Sequence, residues 1–367
     1  MLIRPGRIGA IGRTQPTGGG AFNNPSLPRF SQAVRNTMLG ISDTNVAFIG
    51  DSETSGTGAG EGNTAFVNAR ARSVPSVVAD LVSGRFPIER HAIWGTGNVP
   101  DADLPDMFPG MVFGSGWVSS DANSIGPTFT NGTTTEPFTI PFPAGADTFD
   151  IYWIGTGASG VFSVQIDSGS VTNFTTAGAN SFTKVTVPAP DASAHTVTIR
   201  RVSGGTVYIQ APVPRSSTTK KINIWNMGVG SSTTASWTIT AEPWSRGAAL
   251  QSLPIDLTVI ALGVNDWAGG NTSAYETNMG TIIDRQKVLG DVLLVAQPGI
   301  SGVSNAPFKA VLDSLSASKG VPLIDVDALF GGYSGGVAKG WYFDTVHPNI
   351  AGYAAWGGLE APTIFGS

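Results

Sequence analysis

Asn45-Val46-Ala47-Phe48-Ile49-Gly50-Asp51-Ser52 is a short, mostly apolar run that ends in a glycine, an acid and a serine. A run of this length bounded by turn residues reads as a buried strand. The carboxyl end of such a strand is where open α/β sheets place their ligand sites. Downstream, residues 222–225, 256–262, 292–296 and 321–324 repeat the strand texture. Between and after them, 246–253, 275–288, 307–319 and 350–359 read as helices. Upstream, 28–38 is a short helix, 64–82 a helix interrupted near Pro75, and 90–94 a further strand. Strand and helix alternate as in a doubly wound parallel sheet.

Between residues 110 and 221 the texture changes. Segments 138–140, 149–154, 161–166, 184–187 and 195–199 are short strands separated by turn clusters about every ten residues, with no helical period inside the run. This predicts an antiparallel β-sandwich of jelly-roll type inserted into the α/β domain. The expected organisation is an N-terminal arm over 1–44, the first part of the α/β domain over 45–109, the sandwich over 110–221 and the second part over 222–367.

The 367 residues fit about two domains on a prior of ~150 residues each. Hydrophobic residues make up 41% of the chain and charged residues 13%, enough apolar material for a sizeable core, and 48 glycines suit many tight turns. A net charge of -5 offers no basic footprint for a phosphate backbone, so nucleic acid is excluded as a partner. With no cysteine, disulfides, thiolate metal sites and cysteine nucleophiles are excluded too. No apolar run approaches the ~18 residues of a membrane span, and no apolar stretch follows Met1 to Arg7, so the expectation is a soluble chain without a secretory signal. No cluster of potential ligands supports a metal, and no cofactor is expected.

The chemistry-bearing residues fall in three segments: Gly50-Asp51-Ser52, Gly263-Val264-Asn265-Asp266 and Asp344-Thr345-Val346-His347-Pro348. A serine nucleophile needs a histidine base, and the chain holds only His91, His195 and His347. Of these, His347 has an aspartate three residues before it, whereas His91 and His195 sit in predicted strands and read as structural. In type, order and placement the three segments resemble the SGNH (GDSL) hydrolase superfamily, over residues 45–90 and 222–360. The resemblance implies a three-layer, flavodoxin-like α/β domain and hydrolysis of an acyl ester. It implies Ser52 as nucleophile, His347 as base and Asp344 as the group that orients the imidazole. The oxyanion donors it implies are the Ser52 amide, the Asn265 side chain and a glycine amide. For that glycine two positions stand open: Gly230, within Asn226-Met227-Gly228-Val229-Gly230, and Gly97, within Trp94-Gly95-Thr96-Gly97-Asn98.

Glu53 departs from the small or apolar residue often found after the nucleophile, and is expected to face either the pocket or solvent. Asp266 is expected to fix the Asn265 loop. Tryptophans are numerous, and Trp267 and Trp341 are placed near the pocket as sugar-stacking rings. The reading that follows is removal of short acyl groups, acetyl first, from a polysaccharide. One alternative is a lipase or arylesterase acting on lipid or small esters. The other is a glycan-binding or structural protein, of a phage tail for example, with a vestigial site. The oligomeric state is left open.

Overall fold

The computed structural model describes residues 22–95, 99, 101–120 and 123–366. Sixteen strands are seen among them. β1 (Thr44–Gly50) and β2 (Ile88–Glu89) come first. Ten strands follow: β3 (Val112–Phe113), β4 (Val118–Ser120), β5 (Thr128–Asn131), β6 (Pro137–Phe142), β7 (Thr148–Gly155), β8 (Gly160–Ile166), β9 (Thr172–Thr175), β10 (Ser181–Pro188), β11 (His195–Gly204) and β12 (Val207–Arg215). The last four are β13 (Ile222–Gly228), β14 (Leu257–Ala261), β15 (Asp291–Ala296) and β16 (Leu323–Asp325).

The first and last groups form one parallel sheet in the order β16-β15-β14-β1-β13-β2. β1 is central because every one of its residues is buried, a demand only a strand covered on both faces and both edges can meet. Alternation sorts its side chains. Val46 and Phe48 pack on one side with Phe30, Val78 and Trp356, from the helices Pro28–Met38, Val74–Val82 and Ile350–Phe365. Ala47 and Ile49 pack on the other with Met279, Ile282 and Phe308, from Thr272–Leu289 and Ala306–Lys319. The result is a three-layer α/β/α arrangement.

β3 to β12 build two five-stranded antiparallel sheets, β10-β7-β12-β5-β4 and β3-β6-β11-β8-β9. Phe129, Phe138, Phe149 and Phe162 fill the space between them. The sandwich is fused to the α/β domain through Tyr152, Ala211 and Val213, which join the core of Trp94 and Trp225; Tyr152 and Trp94 have ring centroids 4.9 Å apart. Two expectations need correction. Residues 90–94 are not a strand, since β2 ends at Glu89. The helix expected over 64–82 starts only as a 3-10 turn, Ala69–Arg72, while the interruption expected near Pro75 is present, with the helix restarting as Val74–Val82.

A buried acid far from the carboxyl edge of the sheet contributes to the pH dependence of the fold. Glu360 is 1% exposed, accepts a 2.5 Å bond from Trp356 Nε1 and leaves Oε2 without a partner. Burial pushes its carboxyl up to about 8 from an ordinary 4.5. The folded state therefore favours the neutral acid: the full contribution holds below pH 4.5 and is lost as pH rises through about 8. Glu360→Gln keeps the acceptor without the charge. It should make the fall in melting temperature between pH 5 and pH 8.5 smaller than in the wild type; an equal fall in both would refute the assignment.

Candidate active site

Parallel strands deliver their carboxyl ends to one edge of the sheet, and the site is assembled there. β1 ends at Gly50. Asp51, extended at φ -106 and ψ -150, caps the short helix Ser52–Ser55 by accepting from Glu53 N at 3.0 Å, so Ser52 is the first helical residue. β13 ends in the turn holding Gly230, and Val229 N and Ser232 Oγ both donate to the Gly50 carbonyl at 3.0 Å. β14 leads through Gly263 into the helix Val264–Trp267, which carries Asn265. Asn265 Nδ2 donates to Ser232 O at 3.0 Å, and an amide nitrogen has a second N–H to offer. Asp266 accepts from Thr234 N and, at 2.7 Å, from Thr234 Oγ1, tying the two loops together as expected.

The histidine arrives from the far end of the chain, on the loop before the last helix. His347 Nε2 lies 2.9 Å from Ser52 Oγ, and Nδ1 lies 2.9 Å from Asp344 Oδ2. Asp344 Oδ1 accepts the Val346 and His347 amides, each at 2.7 Å. Burial works against this carboxylate, but those bonds and the His347 ring hold it below the usual range. The loop is pinned by Phe343 N to His347 O at 2.9 Å and by Asn349, whose side chain accepts the Ala351 and Gly352 amides at the head of the helix Ile350–Phe365. Across from it, Gly58 has φ +91, and a Cβ there would stand 2.9 Å from that of His347. Only a glycine allows this approach.

Behind Ser52 lies a polar cluster with no counterpart in the sequence reading. Asp51 and Glu53 are both fully buried. Gln297, one residue past β15, donates from Nε2 to both Asp51 oxygens at 3.2 and 3.0 Å and to Glu53 Oε2 at 2.8 Å. Its Oε1 accepts Val264 N at 3.2 Å, joining the serine turn to the asparagine turn. Burial raises the Asp51 carboxyl to about 6 despite the Gln297 and Glu53 N–H bonds, and raises Glu53 well above its ordinary value, with Asp51 adding to the effect. Glu53 thus faces neither pocket nor solvent. Gln297 could have been found by the rule that singled out Asn265: a polar residue directly after a buried strand at the sheet's carboxyl edge.

Trp267 departs from its expected place, His195 and His91 are structural as expected, and the other positions fall as follows. Trp267 is 6% exposed and belongs to the core, so it offers no face to a sugar. Trp341 packs its ring against Phe330 at 5.1 Å and lies under Lys339 Nζ. Gly97 lies outside the described residues. His195 is buried, with Nδ1 2.7 Å from Asp167 Oδ2 and Nε2 2.9 Å from Asp191 O, and is structural; His91 pairs with Glu89. Among the described residues no group of three or more His, Cys, Asp or Glu side chains is placed to hold a metal ion, and no helix is long and apolar enough to cross a membrane.

Residues 189–355 match the GDSL-like lipase/acylhydrolase family, a stretch that takes in Gly230, Asn265, Asp344 and His347 and stops short of Ser52. No curated protein matches the sequence. Among solved structures, a peptidoglycan O-acetylesterase is similar at a TM-score of 0.66 and 15% identity, covering 94% of this chain and 97% of its own, so the α/β domain and the sandwich recur together in one fold. A family two carbohydrate esterase from Cellvibrio japonicus aligns at TM-score 0.31 and 12% identity, over 76% of this chain and 95% of its own. A lipolytic G-D-S-L family member from Veillonella parvula aligns at 0.30 and 20%, over 38% and 79%. Over residues 189–355 the chain is similar to GDSL-like lipases and acylhydrolases, which together with the shared α/β fold and its inserted β domain supports a carboxylic ester hydrolase.

Proposed function

We propose that this esterase removes acetyl groups from the hydroxyls of a polysaccharide by a serine mechanism. The observation that carries the mechanism is the continuous line Ser52 Oγ–His347 Nε2, His347 Nδ1–Asp344 Oδ2, with 2.9 Å at each step. In this reading Ser52 Oγ attacks the acyl carbon while His347 takes its proton. His347 then returns the proton to the departing sugar hydroxyl and activates the water that clears the acyl-enzyme. Asp344 holds the ring with Nδ1 protonated, so that Nε2 faces the serine as a base.

The tetrahedral oxyanion is assigned to the Ser52 amide, the Gly230 amide and the second N–H of Asn265. Asn265→Ala removes one donor of three and should lower kcat by about 10²-fold with little change in KM, as expected for an interaction made mainly in the transition state. An unchanged kcat would remove Asn265 from this role.

The acetyl preference and the glycan target are supported by the fold shared with the peptidoglycan O-acetylesterase. A p-nitrophenyl ester series tests the acyl side: kcat/KM is expected to fall from acetate to octanoate, and a rise with chain length would instead favour a lipase or arylesterase. Acetate release from acetylated polysaccharides, compared with that from acetylated monosaccharides, tests the glycan side.

A further inference from the structure

A cleft of about 340 Å³ opens where the α/β domain meets the sandwich. That volume is at the lower end of the range of small-molecule sites, roughly 300–1,000 Å³. One wall is Arg70, Ala71 and Ser76 with Arg90 and His91; the other is residues 107–109 and 140–143. The second wall is apolar, with three proline rings and Phe108 and Phe142 among its members. Neither Ser52, Asn265 nor His347 lines it.

The charges are one-sided. In a chain of net charge -5, the described walls carry Arg70 and Arg90 and no carboxylate. Arg90 is paired with Asp80, and His91 with Glu89. Arg70 is different. It is 7% exposed, spends Nη2 on the Ala92 and Asn226 carbonyls at 2.9 and 3.2 Å, and leaves Nη1 without a partner. The Phe108 ring covers its face with the centroid 4.8 Å from Cζ. Burial lowers its pKa to about 9, which still leaves it charged at neutral pH, and no carboxylate among the described residues opposes that burial. A buried cation without a counter-ion is costly, and the carbonyls that Arg70 holds leave its charge unopposed in the wall of an open cleft.

We infer that the cleft is a second binding site, for a ring-bearing carboxylate, and that its ligand is an acidic sugar unit. The carboxylate supplies the anion that Arg70 lacks. The proline and phenylalanine wall packs on the ring face. That the ring is a sugar rests on the glycan reading of the esterase; the anion site does not depend on it. Because both domains line the cleft, a bound acidic residue would hold the polymer against both at once.

The test is calorimetric titration of the full chain with glucuronate, glucose and benzoate. Glucuronate is expected to bind saturably, with glucose at least about 10-fold weaker, the size of a lost charge-assisted contact. Arg70→Met should weaken glucuronate to a similar extent. Ala71→Trp, at an exposed wall position, should abolish binding by filling the cleft while leaving p-nitrophenyl acetate hydrolysis unchanged. Ser52→Ala should bind glucuronate as the wild type does, which separates this site from the esterase mechanism. Equal binding of glucose and glucuronate, binding that survives Ala71→Trp, or no binding at all overturns the anion site. Binding of benzoate without glucuronate overturns its assignment to a sugar.

Discussion

Replacing Ser52 with alanine is expected to lower kcat on p-nitrophenyl acetate by about 10⁶-fold, and adding His347→Ala to it to cost almost nothing more. The reason is that in the proposed mechanism the two side chains act as one device. With Oγ and Nε2 2.9 Å apart, the serine is a nucleophile only while the imidazole accepts its proton, and the imidazole has nothing to accept once the hydroxyl is gone. Turnover that survives in the double variant would come from the oxyanion donors acting on a water, the residual ~10³–10⁴-fold over the uncatalysed reaction known for such sites. A single variant within about tenfold of the wild type would move the nucleophile to another residue.

Asp344→Asn is expected to lower kcat by about 10³-fold, short of the ~10⁴-fold that follows loss of a fully buried triad carboxylate. The side chain is 42% exposed, so water screens part of its charge and the deficit is correspondingly smaller. The substitution isolates the charge. An asparagine oxygen still accepts the Val346 and His347 amides, which preserves the loop. Its amide nitrogen, however, would face His347 Nδ1 as a donor and favour the tautomer with the proton on Nε2. The melting temperature should stay within a few degrees of the wild type while kcat falls. A fall in both together would instead make Asp344 a scaffold of the loop.

The strands that build the site were the most legible part of the chain. Residues 222–225, 256–262 and 292–296 read as strands because a doubly covered strand is apolar throughout, and they lie within or close to β13, β14 and β15. The helix over residues 28–38 has the expected bounds, since Pro28 starts it. β12 went unread: Pro212 and Pro214 argue against a strand, yet it pairs with both β7 and β5. A register shift between Ile209 and Ala211 marks a bulge in β12 just ahead of the two prolines.

In the candidate site, Ser52, Asn265, Asp344 and His347 were legible through the resemblance of three short motifs to the SGNH family, and the fold brings those motifs to one edge of the sheet. Gln297 was not, because its importance lies in three partners more than 30 residues away, at 51, 53 and 264. Trp267 was misplaced for a related reason. Its neighbour Asn265 faces the edge of the sheet, and two positions along a short helix is enough to turn a side chain to the opposite face.

The position of β1 at the centre of the parallel sheet has a consequence for how the protein is made. Its two neighbours, β13 and β14, begin about 170 and 205 residues further along the chain. At synthesis rates of roughly 5–20 residues per second, the strand that delivers Ser52 leaves the ribosome on the order of ten to thirty seconds before either edge can be covered. During that interval the whole sandwich emerges, and it is free to pair its own strands first. The inserted domain is thus the natural first unit to fold, and the esterase site is the last part of the molecule to exist.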